Sequence, residues 1–434
     1  MRRPIEMFTG NAQIVFAVVV FLISYAIIVS EIIHRTIIAL LGAAVMVVFG
    51  IVTYEFAIEV VDFNVLGLLV GMMLIVGLTR ESGIFEFIAV TIAKLGKGKP
   101  MFIMISLSIM TAVMSAFIDS VTMILLAVPV SISIARKLGI SPMPIVFSEI
   151  MLCNIGGATT LIGDPPNLLI GSAAGFGFMD FVVNVGPIMI VVGAITLVIL
   201  WLMFRRRLIV DEENMQFLMA MDPKEELKDM RLAIKTLSVM ALTIVGFILH
   251  QYLHLESATV AMAGAALLLI IVRPDPKEVF RHVEWEVIFF FLGLFILVGG
   301  LKAVGVIEWL ADQTIALTGG KMVETGMMVL WLSSVVGAFV DNIPFTATMV
   351  PLIQDIGHMG IMADMDPIWW CLVIGACLGG NGTMIAASPN VVAVGLLEQE
   401  GYRFTFMRFM AMAFPLMILS VAISSVYLYF LYLT

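Results

Sequence analysis

Four short stretches of this chain set carboxylate, hydroxyl and amide side chains into apolar surroundings. Two are compact: Asp119-Ser120-Val121-Thr122, and Asp341-Asn342-Ile343-Pro344 with Thr346 and Thr348 following. Two are longer. One runs from Asn154 through Gly156-Gly157, Thr160 and Asp164-Pro165-Pro166 to Asn167; the other runs from Gly379-Gly380-Asn381 through Thr383 to Ser388-Pro389-Asn390. Glycine frees the backbone from helical geometry, and proline restarts a helix where its missing N–H costs nothing. Half-helices that end this way turn positive N-termini toward anionic groups and free carbonyls toward cations, while Ser, Thr and Asn add neutral ligands. The chemistry on offer is ion binding and proton exchange.

The stretches come in pairs because the chain contains itself twice. Residues 36 to 130 recur at a register of about 222, so Gly42-Ala43-Ala44 returns as Gly264-Ala265-Ala266. Gly71, Gly77, Gly83 and Glu86 return as Gly293, Gly299, Gly305 and Glu308. Ala116-Phe117-Ile118-Asp119 matches Ala338-Phe339-Val340-Asp341, and Pro129 falls on Pro351. After a one-residue slip, Gly156-Gly157, Thr160 and Pro166-Asn167 fall on Gly379-Gly380, Thr383 and Pro389-Asn390. A repeat of this length is half a fold, not a solenoid unit. The expected divisions are a first repeat over 1-204, a linker over 205-232 and a second repeat over 233-434.

The elements that must position these residues are membrane helices. The chain is 61% hydrophobic and 13% charged, with a mean hydropathy of +1.11, more apolar surface than a soluble core could hide. Its net charge of -9 sits mostly in loops and gives no reason to expect a nucleic-acid partner. The run Ile14 to Ser30 lacks an A-x-A-type cleavage pattern and reads as a retained helix. Crossings are expected near 12 to 30, 36 to 54, 64 to 79, 145 to 175 and 181 to 204, and again near 233 to 252, 257 to 272, 286 to 302, 368 to 398 and 409 to 432. The segments 101 to 136 and 323 to 357 are paired apolar arms with a polar tip, which add an even number. Five crossings per half invert the second half relative to the first.

Basic residues set the expected orientation. Arg80, Lys94, Lys97, Lys99, Arg136-Lys137, the stretch from Arg205 to Arg231, Arg273, Lys277, Arg281, Arg403 and Arg408 share one side, which the positive-inside rule makes cytoplasmic. Arg2, Arg3, Lys302 and Lys321 fall on the other side. Cys153, Cys371 and Cys377 lie inside apolar segments with no zinc-ligand spacing, so they read as inert packing, and no metal site or disulfide framework is expected.

Residues 100 to 135, 138 to 204 and 322 to 402 contain no Lys or Arg, yet Asp119, Glu149, Asp164 and Asp341 lie at or near membrane depth. A buried carboxylate must be protonated or neutralised by a cation. The repeat gives Asp119 and Asp341 one shared role, and they join Glu149 as candidates for proton coupling. Glu149 has Cys371 as its register mate, and Asp164 has Ala387, so both are half-specific.

The string Asn154 to Asn167, with Phe117-Ile118-Asp119-Ser120 and Phe339-Val340-Asp341-Asn342, resembles the ion transporter superfamily of ArsB-type arsenite pumps, NhaD-type sodium/proton antiporters, the melanosomal P protein and citrate-transporter-like permeases. Gly163-Asp164-Pro165-Pro166-Asn167 is most similar to the P-protein branch. The resemblance implies an all-α polytopic fold of two inverted repeats, each with a re-entrant hairpin and a broken helix, working as an elevator. By position it implicates Asp119, Ser120, Thr122, Asn154, Thr160, Asp164 and Asn167, with Asp341, Asn342, Thr346, Asn381, Thr383, Ser388 and Asn390, in holding substrate or ion. Dicarboxylate carriers of this kind show Ser-Asn-Thr at the hairpin tips, where this chain has Asp-Ser-Val-Thr and Asp-Asn-Ile-Pro. That departure favours proton-coupled export of arsenite-type species or sodium over carboxylate transport, with no cofactor beyond Na+ or H+. A channel is the second class of reading and an intramembrane aspartyl protease the third, the last lacking its Gly-x-Gly-Asp context. Elevator carriers imply a homodimer in an inner or plasma membrane, and nothing in the sequence requires a soluble ATPase partner.

Overall fold

The computed structural model describes residues 10–30, 32–97, 99–206, 208, 219 and 222–434. Arg2, Arg3, Arg207 and most of the central linker lie outside the described residues. The first half contributes α1 (Asn11–Ser30), α2 (Arg35–Val48), α3 (Phe63–Glu81), α4 (Ile84–Leu95), α5 (Pro100–Ser115), α6 (Ser120–Lys137), α7 (Met143–Gly157), α8 (Pro165–Ala174) and α9 (Gly186–Phe204). The second contributes α10 (Met230–Leu249), α11 (Ser257–Val272), α12 (Trp285–Ala303), α13 (Val306–Thr318), α14 (Met322–Gly337), α15 (Asn342–His358), α16 (Asp366–Gly379), α17 (Ser388–Gln399) and α18 (Phe406–Leu428). Each helix of the first series has its counterpart nine labels later.

This is an all-α polytopic membrane protein. Seven of the described helices are long and apolar enough to cross a bilayer, α1, α3, α6, α9, α10, α12 and the C-terminal helix among them. On α1, Ile14, Val15, Leu22 and Ile23 are exposed, a surface that suits lipid and not water. Helices α7 and α16 are shorter and buried on every side, from Pro144 to Gly157 and from Pro367 to Gly379. A helix apolar all round belongs inside a bundle.

Two layers follow from these differences. The outer frame pairs one helix of each half twice over: α2 packs on α12, and α3 on α11. Small residues let the backbones touch. A Cβ added to Gly71 would come within 2.6 Å of the Ala261 carbonyl carbon, and one added to Gly293 within 2.6 Å of the Ala39 carbonyl carbon. Ala261 is the register mate of Ala39, so this is one contact made twice about a pseudo-two-fold axis. Without a hydrophobic driving force between helices in lipid, such close packing is a main source of association.

The inner bundle holds the interrupted elements. Helices α5 and α6 pack on each other as a hairpin, as do α14 and α15. Asp119 caps α6 by accepting from Thr122 N–H at 3.0 Å, and Asp341 caps α15 by accepting from Ile343 N–H at 2.9 Å. Pro129 and Pro351 sit at matching places inside the second arms. The halves diverge after the broken helix: Gly175, with φ +72°, ends α8, and the chain turns by 108° into the short helix Phe178–Asn184 before α9 begins. The fifth crossing therefore starts at Gly186, not near 181. Lys228 and Asp229 N–H donate to Ser82 C=O at 3.0 and 3.3 Å, so the described end of the linker docks beside the start of α4.

Gly71→Ala and Gly293→Ala are expected to lower the thermal stability of the detergent-solubilised protein by similar amounts, about 1–3 kcal/mol each. Gly395→Ala, which meets nothing within 4 Å, is the control and should be neutral or slightly stabilising. Unequal losses at Gly71 and Gly293 would contradict the paired contact.

Candidate functional site

The site forms where the two hairpin tips and the two helix breaks meet. A break exposes carbonyls and N–H groups that lipid cannot satisfy, so the loops must satisfy themselves. Asn167 Nδ2 donates to Gly157 C=O at 3.1 Å and Thr160 C=O at 2.7 Å; Asn390 Nδ2 donates to Gly380 C=O at 2.7 Å and Thr383 C=O at 2.9 Å. The Thr160 hydroxyl donates to Ala116 C=O, and the Thr383 hydroxyl donates to Ala338 C=O at 2.5 Å. With these donors the four residues, expected to help hold substrate or ion, brace each loop closed and tie it to the neighbouring tip.

The braces also join the halves. Asn390 Oδ1 accepts from Asn154 Nδ2 at 3.0 Å, and Asn167 Oδ1 accepts from the Cys377 thiol at 3.2 Å. Asn154 and Cys377 are register mates, so this too is one contact made twice with different chemistry. Asn154 Nδ2 further donates to Asn381 Oδ1 at 2.9 Å, and Asn381 Nδ2 to Met151 C=O at 3.2 Å. Ser120 donates to Gly163 C=O at 2.8 Å and lies 3.0 Å from the Ser115 hydroxyl. Asn342 N–H donates to Ala386 C=O at 3.2 Å, and its Nδ2 reaches Asp164 Oδ2 at 3.5 Å. Thr346 spends its proton on Asn342 C=O one turn back, and Thr122 donates to Asp119. Glu149 stands apart: it precedes Asn154 by five residues, about 7.5 Å along α7, and accepts from the Ser131 hydroxyl at 2.6 Å. Its second oxygen is buried without a hydrogen-bond partner among the described residues.

Four helix N-termini converge here, those of α6, α8, α15 and α17. Three carry an aspartate at the N-cap position: Asp119, Asp164 and Asp341; only α17 has a neutral residue there, Ala387. A helix N-terminus offsets up to about 2 kcal/mol of a carboxylate's cost in a partly buried geometry, whereas burial costs several kcal/mol per ion. Helix ends alone do not hold three ionised aspartates; further positive charge, from a basic side chain, a cation or protons, has to supply the rest. Asp164 interacts electrostatically with both Asp119 and Asp341, so the three act on one another.

Three contributors were not read from the sequence. Arg35, the first residue of α2, donates to Asp341 Oδ2 at 2.8 Å and to the Ser388 hydroxyl at 2.7 Å. The inference from basic-free stretches to a site without a cation is corrected by this residue, which lies outside those stretches in sequence. Cys377, read as packing, bonds Asn167 and also Asp164. Glu284, at the head of α12, is half-buried, and its carboxyl is pushed up to about 7, first by loss of solvent and then by Asp119 and Glu286, against the pull of Arg35 and Arg80. The register pairs it with Asp62, which caps α3; that match was the available signal.

The fold and this arrangement can be set beside known proteins. A family described as "Citrate transporter" (CitMHS) matches residues 25–375. The chain belongs to that family. It is a secondary transporter of the ion transporter superfamily. A 46 kDa membrane protein of Mycobacterium leprae is 37% identical over 424 residues, covering 96% of this chain and 99% of that one. The human P protein is 31% identical over 503 residues, and the match takes in 96% of this chain and 60% of the P protein. Among solved structures, the YdaH transporter of Alcanivorax borkumensis superposes with a TM-score of 0.61 at 12% identity over 96% of this chain and 97% of that chain, a likeness of fold.

Glu284 generates a pH prediction. Its folded value of about 7 exceeds the ordinary 4.5, so between those values the native state holds a proton that the unfolded chain has released. Stability therefore falls as pH rises through that window and is flat above it. Glu284→Gln should remove this slope, melting higher than wild type at about pH 8 and equally at about pH 4. Identical pH profiles for the two proteins would contradict the assignment.

Proposed function

We propose that this protein exchanges protons for a monovalent cation, sodium first, at the meeting point of its hairpin tips and helix breaks. The observation that carries this reading is the charge balance: Asp119, Asp164 and Asp341 converge on one locus, and Arg35 is the one basic side chain ion-paired there among the described residues. A negative, water-poor site with amide and hydroxyl oxygens around it attracts a hard, small cation, and its aspartates offer protons an equivalent place. Glu149, buried beside Ser131, is a further proton carrier in this scheme.

The inner bundle carries every one of these ligands except Arg35, and it moves as an elevator against the α2–α12 and α3–α11 frame. The basic loops and linker face the cytoplasm, and the molecule works as a dimer in an inner or plasma membrane. Carboxylate transport, which the family description suggests, has one favourable spot, the uncapped N-terminus of α17 beside Arg35. Asp341 already takes that Arg35, at 2.8 Å. Export of arsenite-type species is a second reading, favoured by the position of two thiols: Cys153 lies 3.4 Å from the Ser115 hydroxyl, and Cys377 bonds Asn167 at the site itself.

Everted vesicles carrying the protein, acidified by respiration and followed with a pH-sensitive dye, separate these readings. Sodium or lithium added to wild type should dissipate the gradient, and Asp119→Asn or Asp164→Asn should reduce that response at least about tenfold while membrane insertion is unchanged. If the cations do nothing and labelled arsenite accumulates in a protonophore-sensitive way, the arsenite reading replaces the cation one. Full exchange by both aspartate variants would sink the carboxylate mechanism.

A further inference from the structure

The repeat equates Asp119 with Asp341, but the structure gives them different surroundings. Asp341 uses both oxygens: Oδ1 accepts from Ile343 N–H at 2.9 Å, and Oδ2 accepts from Arg35 at 2.8 Å. The same Arg35 nitrogen donates to Ser388 at 2.7 Å, and its guanidinium lies 5.1 Å from the ring centroid of Phe290. Arg35 and Phe290 belong to the frame helices α2 and α12; Asp341 and Ser388 begin α15 and α17 of the inner bundle. One guanidinium nitrogen thus ties the tip of the second hairpin and the second helix break to the frame, and the planar group lies over an aromatic ring, a placement for which arginine is better suited than lysine.

Nothing equivalent holds Asp119. The register mate of Arg35 is Ser257, and that of Ser388 is Pro165. Asp119 accepts from Thr122, at 3.0 Å from N–H and 3.2 Å from the hydroxyl, beside Leu68, Met72, Phe117 and Ile162. It takes part in no ion pair among the described residues, although the charge of Arg35 reaches it at longer range. Within the site Asp119 and Asp164 repel each other.

We propose that Arg35 is a built-in counter-ion that occupies Asp341 in place of a transported cation, so that Asp341 latches the inner bundle to the frame while Asp119 with Asp164 holds the moving ion. The inference rests on the cation-exchange reading for the second role and on geometry alone for the first. In the latched state Arg35 occupies one carboxylate position and leaves the other to the transported ion. Movement of the bundle requires Arg35 to let go, and the cavity of about 300 Å³ lined by Arg35, His34, Asp341 and Ser388 gives the released guanidinium room to hydrate.

The test uses the purified full chain with two readouts. Binding of radioactive sodium gives stoichiometry; the rate at which a water-soluble maleimide labels an Ile385→Cys variant, whose position lines the cavity, reports the latch whatever ion is carried. Wild type should bind one sodium ion, and Asp119→Asn should weaken that binding at least about tenfold. Asp341→Asn should raise the labelling rate and should weaken sodium binding by less than Asp119→Asn does. Arg35→Gln frees Asp341 for a cation, so stoichiometry should rise to two and fall back to one in Arg35→Gln/Asp341→Asn. The double variant also guards against misfolding, because it leaves no unpaired charge. Equal loss of sodium binding in Asp119→Asn and Asp341→Asn, or unchanged labelling in both Arg35→Gln and the double variant, overturns the proposal. If wild type binds no sodium but labelling rises in Arg35→Gln, the latch stands and the cation-exchange reading fails.

Discussion

The structure depends on one constraint: a polar backbone group at membrane depth must be satisfied by the protein. Two helix breaks per chain would otherwise leave peptide groups facing hydrocarbon, at several kcal/mol each. Asn167 and Asn390 meet the demand in the same way, each donating twice across its own loop. From the hairpin tips, the Ser120 hydroxyl and the Asn342 N–H each satisfy one further carbonyl of the break loop in their own half, Gly163 and Ala386. Once the breaks are braced, four helix N-termini are fixed within reach of one another, and everything said about charge follows from that convergence.

Braced loops also explain how pseudo-symmetry and asymmetry coexist. Backbone-satisfying contacts recur faithfully, since both halves face the same lipid. Other positions around the site do not recur: the register pairs Asn154 with Cys377, Asp164 with Ala387, and Arg35 with Ser257. The fold requires the same geometry in both halves, whereas the proposed ion position and latch would each need one copy, which two identical halves would not provide. The 108° turn after Gly175, present in the first half, shows the same freedom on the periphery.

Much of this was legible in the chain. The membrane helices, the repeat register, the hairpin tips and the two breaks follow from hydropathy, glycine, proline and spacing, because those features act locally. The residue types of the site were legible too, and Asp119, Asp164, Asn342, Asn154 and Asn381 do meet. What sequence could not show is which polar atoms are already spent: Thr160, Thr383, Asn167 and Asn390 carry ligand chemistry but use their donors on the loops. Arg35 was missed because it lies more than three hundred residues from its partner Asp341, and basic-free stretches along the chain say nothing of a neighbour from another helix. Glu149 keeps an oxygen unpartnered in a place that the loop pattern did not single out.

The doubled glycine–alanine contact of the frame has a bearing on how motion in this molecule can be measured. With backbones in van der Waals contact at Gly71 and Ala261 and again at Gly293 and Ala39, neither helix pair can slide by a fraction of a turn without collision. The frame is therefore a fixed ruler built into the protein. Spectroscopic labels placed on α3 or α12 supply a stationary origin, against which the elevator motion proposed for the inner bundle can be measured as a change in distance to the hairpin tips.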